Sequence, residues 1–163
     1  VLARDSSTDV KLAMEKLRYS VTVNAPVQAV WATMLEPASY REWTKAFGDS
    51  SYEGDWNQGS DMRFVGPDGD GSTGGLIATV EENRPQELIS LRYTGLIVNG
   101  EVDASSEAAK AFVGAHERYA FSGSGESTTV DVELDSDEQF VSMFDEAWPP
   151  ALAKLKEMAE ARS

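Results

Sequence analysis

The chain has 163 residues, no cysteine, a single histidine and a net charge of −14. The missing thiols exclude disulfides and thiolate metal sites and suit a reducing cytoplasm. So acidic a chain repels phosphate backbones and anionic lipid heads, which argues against nucleic acid, and it has no apolar run of about 18 residues with which to span a membrane as a helix.

One domain is expected at this length, large enough to bury roughly 70% of its unfolded surface. Residues 1–14, VLARDSSTDVKLAM, carry no signal-peptide core and are read as an N-terminal extension. The domain is taken as 15–163.

KLRYSVTVN alternates, with Leu17, Tyr19, Val21 and Val23 on one face, as in a half-buried strand. The period then changes. Val27, Val30, Trp31, Met34 and Leu35 fall at helical spacing, and Pro26 suits a first turn. Pro37 restarts the chain into a second short helix striped by Tyr40, Trp43 and Phe47, with Gly48 as its stop.

Strands follow. SYEGDW leads to a turn at NQGS, and DMRFV places Met62 and Phe64 on one face. LIATVEEN and ELISLRYTG are strands joined by RPQ, with Ile89, Leu91 and Tyr93 alternating in the second. LIVNGEVDASSEAAKAFVG is less regular and is read as a strand extension or loop, then a short helix near Glu107 to Val113. AHERYAFSG and STTVDVELD form a hairpin around GSGE, with Tyr119 and Phe121 inward on one arm and Val130, Val132 and Leu134 inward on the other. A long helix from about Asp137 to Ala161 ends the chain. Phe140, Phe144, Ala147, Trp148, Ala151, Leu155 and Met158 make its apolar stripe. Pro149 and Pro150 interrupt it and predict a kink near Trp148.

The loop before LIATV contains GDGSTG, Gly69 to Gly74, which matches G-x-G-x-x-G. A phosphate-binding loop must open a helix whose N–H groups face the anion. Both flanks here read as strand, and Asp68 and Asp70 repel phosphate. A calcium loop starting at Asp68 fails as well, since Thr73 and Thr79 stand where glycine and glutamate are needed. Neither a metal nor a cofactor is expected.

The run NAPVQAVWATMLEPASYREW, the later ENRPQELISLRY, and the final helix with MFDEAWPPAL together resemble the SRPBCC, or START-like, superfamily over Glu15 to Ala161. The closest resemblance is to the branch of activator of heat-shock-protein-90 ATPase homologues. The resemblance implies an α+β helix-grip fold, as in the birch pollen allergens. A curved antiparallel sheet of about six to seven strands grips the long C-terminal helix, with two short helices after the first strand. It also implies a cavity between sheet and helix, often apolar. Members include lipid and hormone carriers, polyketide aromatases or cyclases, hydrolase-like enzymes and co-chaperone domains.

Strand parity places Phe64, Leu91, Tyr93, Tyr119, Phe121 and Val130 on one concave face, with Phe144 and Trp148 laid over it from the helix. These side chains either fill the interior or leave a pocket. The candidate ligand-binding set is Trp43, Phe64, Leu91, Tyr93, Tyr119, Phe121, Phe144 and Trp148, for a small hydrophobic or aromatic ligand. His116, with Arg118, has outward parity and so no reach to a substrate. Glu117 has inward parity and is the one weak catalytic candidate, as acid or base at a pocket mouth. Its expected place is the frayed start of a strand, in water. Arg63, Arg92 and Arg118, with Asp131 and Glu133, read as a solvated charged face. Three functions stay open: a carrier of a small apolar ligand, a polyketide cyclase- or hydrolase-like enzyme, and a co-chaperone-like domain. The last is weakened because the eukaryotic activator carries a further N-terminal domain for which 163 residues leave no room. Monomer and homodimer are both compatible with the pattern.

Overall fold

A computed structural model describes residues 14–67 and 71–162. The expected extension therefore lies, up to residue 13, outside the described residues, as do Asp68, Gly69 and Asp70 of the glycine-rich loop. Strand β1 (Glu15–Val23) leads into helices α1 (Val27–Leu35) and α2 (Pro37–Trp43) and a 3-10 turn at Thr44–Phe47. Strands β2 (Ser51–Glu53), β3 (Asp61–Pro67), β4 (Thr73–Arg84), β5 (Leu88–Val98) and β6 (Glu101–Asp103) follow. Then come α3 (Glu107–Lys110), β7 (His116–Ser124), β8 (Ser127–Ser136), a 3-10 turn at Glu138–Phe140 and the long helix α4 (Val141–Arg162).

The strands form one antiparallel sheet in the order β1-β8-β7-β5-β4-β3-β2, and β6 pairs with the far end of β5. This is the expected α+β architecture, an open sheet with a long C-terminal helix and short helices after its first strand. Thr73 opens a strand that pairs with β3, rather than a helix. Register shifts after Ile77 and after Val80 mark bulges between β4 and β5. A bulge adds local twist, and the sheet curves there.

The alternation in β1 is realised as alternating exposure, and its partner β8 carries the matching buried series Val130, Val132 and Leu134. The opposite face of the sheet is charged. There Arg18 pairs with Glu133 at 3.0 Å and Arg92 with Glu81 at 2.8 Å, both partly exposed.

On the inner face, Val23, Val30, Met34, Leu155 and Ala159 are fully or almost fully buried and pack the domain solid at one end. The α1–α2 corner is tied by side chains. The last carbonyls of a helix lack intrahelical donors. Here Trp43 Nε1 donates to the Met34 carbonyl at 3.1 Å, and the Tyr52 hydroxyl donates to that of Leu35. Gly48, at φ 106°, then stops the 3-10 turn in a conformation open mainly to glycine.

Two expectations are refined. The final helix does not begin at Asp137; a 3-10 turn precedes it, and α4 then runs on through Pro149 and Pro150. Its buried stripe is also wider, including Leu152 and Ala159.

Candidate functional site

At the other end of the sheet the packing opens. A cavity of about 280 Å³ lies between the sheet, the Thr44–Phe47 turn and the first half of α4. That volume sits just below the range of about 300–1,000 Å³ usual for ligand pockets. Of the residues expected to face a ligand, Trp43, Phe64, Tyr93, Tyr119, Phe144 and Trp148 line it. Leu91 and Phe121 do not. Leu91 is fully buried in the core, and Phe121 packs edge-on against Trp31 of α1 at 5.0 Å. Both have inward parity, but α1 and the solid half of the core cover them.

The wall has further aromatic members. Tyr40 and Phe47 belong to the second helical segment, where their spacing was legible. Phe112, just after α3, and Phe140, in the turn before α4, meet at 4.9 Å and both line the cavity. Phe112 lies in the stretch without clear periodicity, so nothing local marked it. Trp148 anchors the wall, stacking on Tyr19 at 6.0 Å and meeting Phe47 edge-on at 5.0 Å. Its indole Nε1 is buried and has no hydrogen-bond partner among the described residues.

Glu117 corrects the sequence reading. It is only 9% exposed, and it lines the cavity. The start of β7 does not fray because three sets of contacts hold it. Backbone bonds link Tyr93 N to the Ala115 carbonyl at 2.9 Å and Gly114 N to the Tyr93 carbonyl at 2.8 Å. Asp135 accepts the His116 N–H at 3.0 Å, and Ala115 itself is buried. On either side of Glu117, Leu91 and Leu134 are its cross-strand neighbours. The next residue back, His116, points to the charged face as expected, beside Glu81 and Asp135.

Two phenols hold the Glu117 carboxyl. Tyr93 donates to Oε1 at 3.0 Å, and Tyr119 donates to Oε2. Burial pushes the carboxyl pKa up, and the two phenol bonds oppose that rise by favouring the ionised form. Burial, then the Glu117 charge, keeps the Tyr93 and Tyr119 hydroxyls well above their ordinary pKa. Tyr40 is shifted the same way for the same reasons. The phenols are thus protonated donors, and Glu117 is a carboxyl whose burial makes it hold its proton more tightly than an ordinary one. An acid between two phenols, on the wall of an aromatic cavity, can bind a polar ligand group or carry a proton to it.

The family model described as polyketide cyclase / dehydrase and lipid transport matches residues 14–160. The chain belongs to that family. This agrees with the SRPBCC resemblance. Similar solved structures share the fold at low identity. Protein MLL2253 from Mesorhizobium loti is 14% identical with a TM-score of 0.68, over 91% of this chain and 99% of that one. The AHSA1-like protein from Aeromonas hydrophila is 16% identical with a TM-score of 0.63, over 90% of this chain and 94% of that one. DynU16, from the dynemicin biosynthetic locus, is 19% identical with a TM-score of 0.65, over 91% of this chain but 48% of that longer one. No curated protein matches the sequence. Among the described residues, no helix is long and apolar enough to cross a membrane.

Proposed function

We propose that this chain binds a small, largely apolar aromatic molecule in the cavity between the sheet and α4. The observation that carries the reading is the cavity itself: about 280 Å³, walled by aromatic rings, with one buried carboxyl held by two phenols. Concave apolar sites with a few convergent polar groups are the usual form of small-molecule sites. Family membership supports the reading, since the family description couples polyketide cyclisation or dehydration with lipid transport. Titration with an environment-sensitive apolar dye, followed by competition with small aromatics, tests it. Saturable, competable binding is expected, weakened in Phe144→Ala, which removes one ring of the wall. A folded wild-type protein that binds neither dye nor competitor overturns the reading.

Glu117 also favours a second reading, a polyketide cyclase-like enzyme. In it the Glu117 carboxylate takes a proton from carbon beside a ligand carbonyl, and a phenol donates a hydrogen bond to the resulting enolate oxygen. The location of DynU16 in a biosynthetic locus is consistent with such a use of the fold. Glu117→Gln should then retain binding and lose turnover. Turnover intact in that variant removes Glu117 from the chemistry.

A further inference from the structure

The cavity wall has an asymmetry of charge. Its described lining includes four carboxyl-bearing residues, Asp49, Glu117, Asp135 and Asp137, and no Lys, Arg or His. Three of the four sit at the rim or have their own work. Asp49 is exposed, Asp135 is paired with Lys16 at 3.2 Å, and Asp137 accepts the Gln139 N–H at 3.1 Å. Glu117 differs. It is buried, its two hydrogen-bond partners are neutral phenols, and among the described residues it forms no ion pair. A carboxylate taken out of water without a counter-charge is costly, and phenol bonds offset only part of that cost. Each carboxylate oxygen has a further lone pair beyond the one its phenol uses. Around it stand aromatic faces, which attract cations through the negative centre of the ring. Arg41 and Lys45 line an adjoining groove that shares Asp49, Ser50, Val65, Gly66 and Pro67 with the cavity, and Lys45 pairs with Glu42 at 3.3 Å.

Building on the proposed ligand-binding cavity, we infer that its ligand is a protonated amine carried on a one- or two-ring apolar frame, with the nitrogen seated on Glu117 and the rings against the aromatic wall. An anionic ligand such as a fatty acid would bring its charge to a described lining with four carboxyl-bearing residues and no cation, where only hydroxyls and N–H groups such as that of Trp148 could donate to it. A neutral ligand would leave the Glu117 charge uncompensated. The amine supplies the missing counter-charge and fills the remaining acceptor positions. Because the charged carboxylate is the form that binds it, amine affinity should fall as acid protonates Glu117. The titratable groups facing Glu117 are Tyr93 on β5, Tyr119 on its own strand and Tyr40 on α2; all three are phenols that stay protonated through the neutral range. From β8 its cross-strand neighbour is Leu134, which does not titrate, while the carboxyls of Asp49, Asp135 and Asp137 line the same cavity.

Three probes of one shape separate the possibilities: 1-naphthylmethylamine, 1-naphthalenemethanol and 1-naphthoate, titrated by calorimetry at pH 7.5 in 0.5 M salt, which screens the overall negative charge. The amine should bind about tenfold or more tighter than the alcohol, the range of a hydrogen bond to a charged group, and the carboxylate should not bind measurably. Glu117→Gln should abolish the amine's advantage over the alcohol. In wild type alone, the amine's advantage over the alcohol should shrink as the pH is lowered stepwise from 7.5 and Glu117 takes up its proton, so the test stands if the variant fails to fold. Equal affinity for amine and alcohol in wild type, or an amine preference that survives Glu117→Gln, overturns the inference while leaving the cavity as a binding site. Binding of none of the three by folded wild type overturns the cavity reading, and the inference falls with it.

Discussion

Replacing Tyr93 with phenylalanine removes one hydroxyl and almost no volume. The hydroxyl is 3.0 Å from Glu117 Oε1, so the variant leaves that oxygen without its donor inside a buried site. A hydrogen bond to a charged group contributes about 1.5–3 kcal/mol, and one between neutral groups about 1 kcal/mol. The cost of Tyr93→Phe therefore depends on the state of Glu117. Burial raises the Glu117 pKa in the folded chain above its unfolded value of about 4.3. For that sign, the stability that the shift contributes is fully present below the unfolded value and is lost as pH rises through the folded one. Tyr93→Phe removes a group that favours the carboxylate and moves the folded pKa higher still. We expect a loss of about 2 kcal/mol with Glu117 ionised and about 1 kcal/mol with it protonated, so a larger loss at pH 8 than at pH 5. In a chain of this size the larger figure lowers the melting temperature by roughly 4–8 °C. Urea unfolding followed by tryptophan fluorescence at the two pH values reads both numbers. The same loss at pH 5 and pH 8, or none at either, would show that Tyr93 does not support the charge on Glu117.

Core, wall and surface should respond very differently to substitution. Leu155→Ala, at a fully buried position of α4, should cost about 2–5 kcal/mol in chemical denaturation; a loss below 1 kcal/mol would place Leu155 outside the packed half of the domain. Gly75→Ala should destabilise by more than about 1 kcal/mol, because its Cβ would stand 1.8 Å from the Phe64 carbonyl oxygen, and an unchanged melting temperature would refute that close approach. Arg18→Ala removes an ion pair whose arginine side chain is 74% exposed, so its unfolding midpoint should stay within about 1 kcal/mol of wild type at any salt concentration.

The helix-grip outline was legible because periods change where elements change. Alternation in KLRYSVTV, helical spacing in PVQAVWATML and the long terminal stripe each correspond to an element. Register and parity also placed Tyr93, Tyr119 and Phe64 on the inner face. Parity does not say where along a strand the interior opens. Leu91 is next in the inward series to Tyr93 on β5, yet only Tyr93 reaches the cavity. Glu117 was assigned the correct face and the wrong solvent. Its burial depends on residues 104–115 folding back across the gap between β6 and β7 on the edge of β5, a long-range arrangement with no local period. The three-residue β6 lies in the same stretch and was equally invisible. Leu152 and Ala159 fall at helical spacing after Trp148 and Leu155 and widen a stripe that was otherwise legible on both sides of Pro149–Pro150.

The corner where α1 meets α2 has a consequence for how this cavity can change over time. Trp43 presents its ring to the interior and its N–H to the end of α1, and just beyond the wall Tyr52 does the same with its hydroxyl. Altering Trp43 to reshape the interior also uncaps a helix. Phe47, Phe64, Phe112, Phe140 and Phe144 carry no such second duty, since their side chains have nothing to donate. The wall is therefore divided into members committed to the scaffold and members free to vary. A new ligand preference is most accessible through the phenylalanines, one ring at a time, on a frame that stays folded while the specificity drifts.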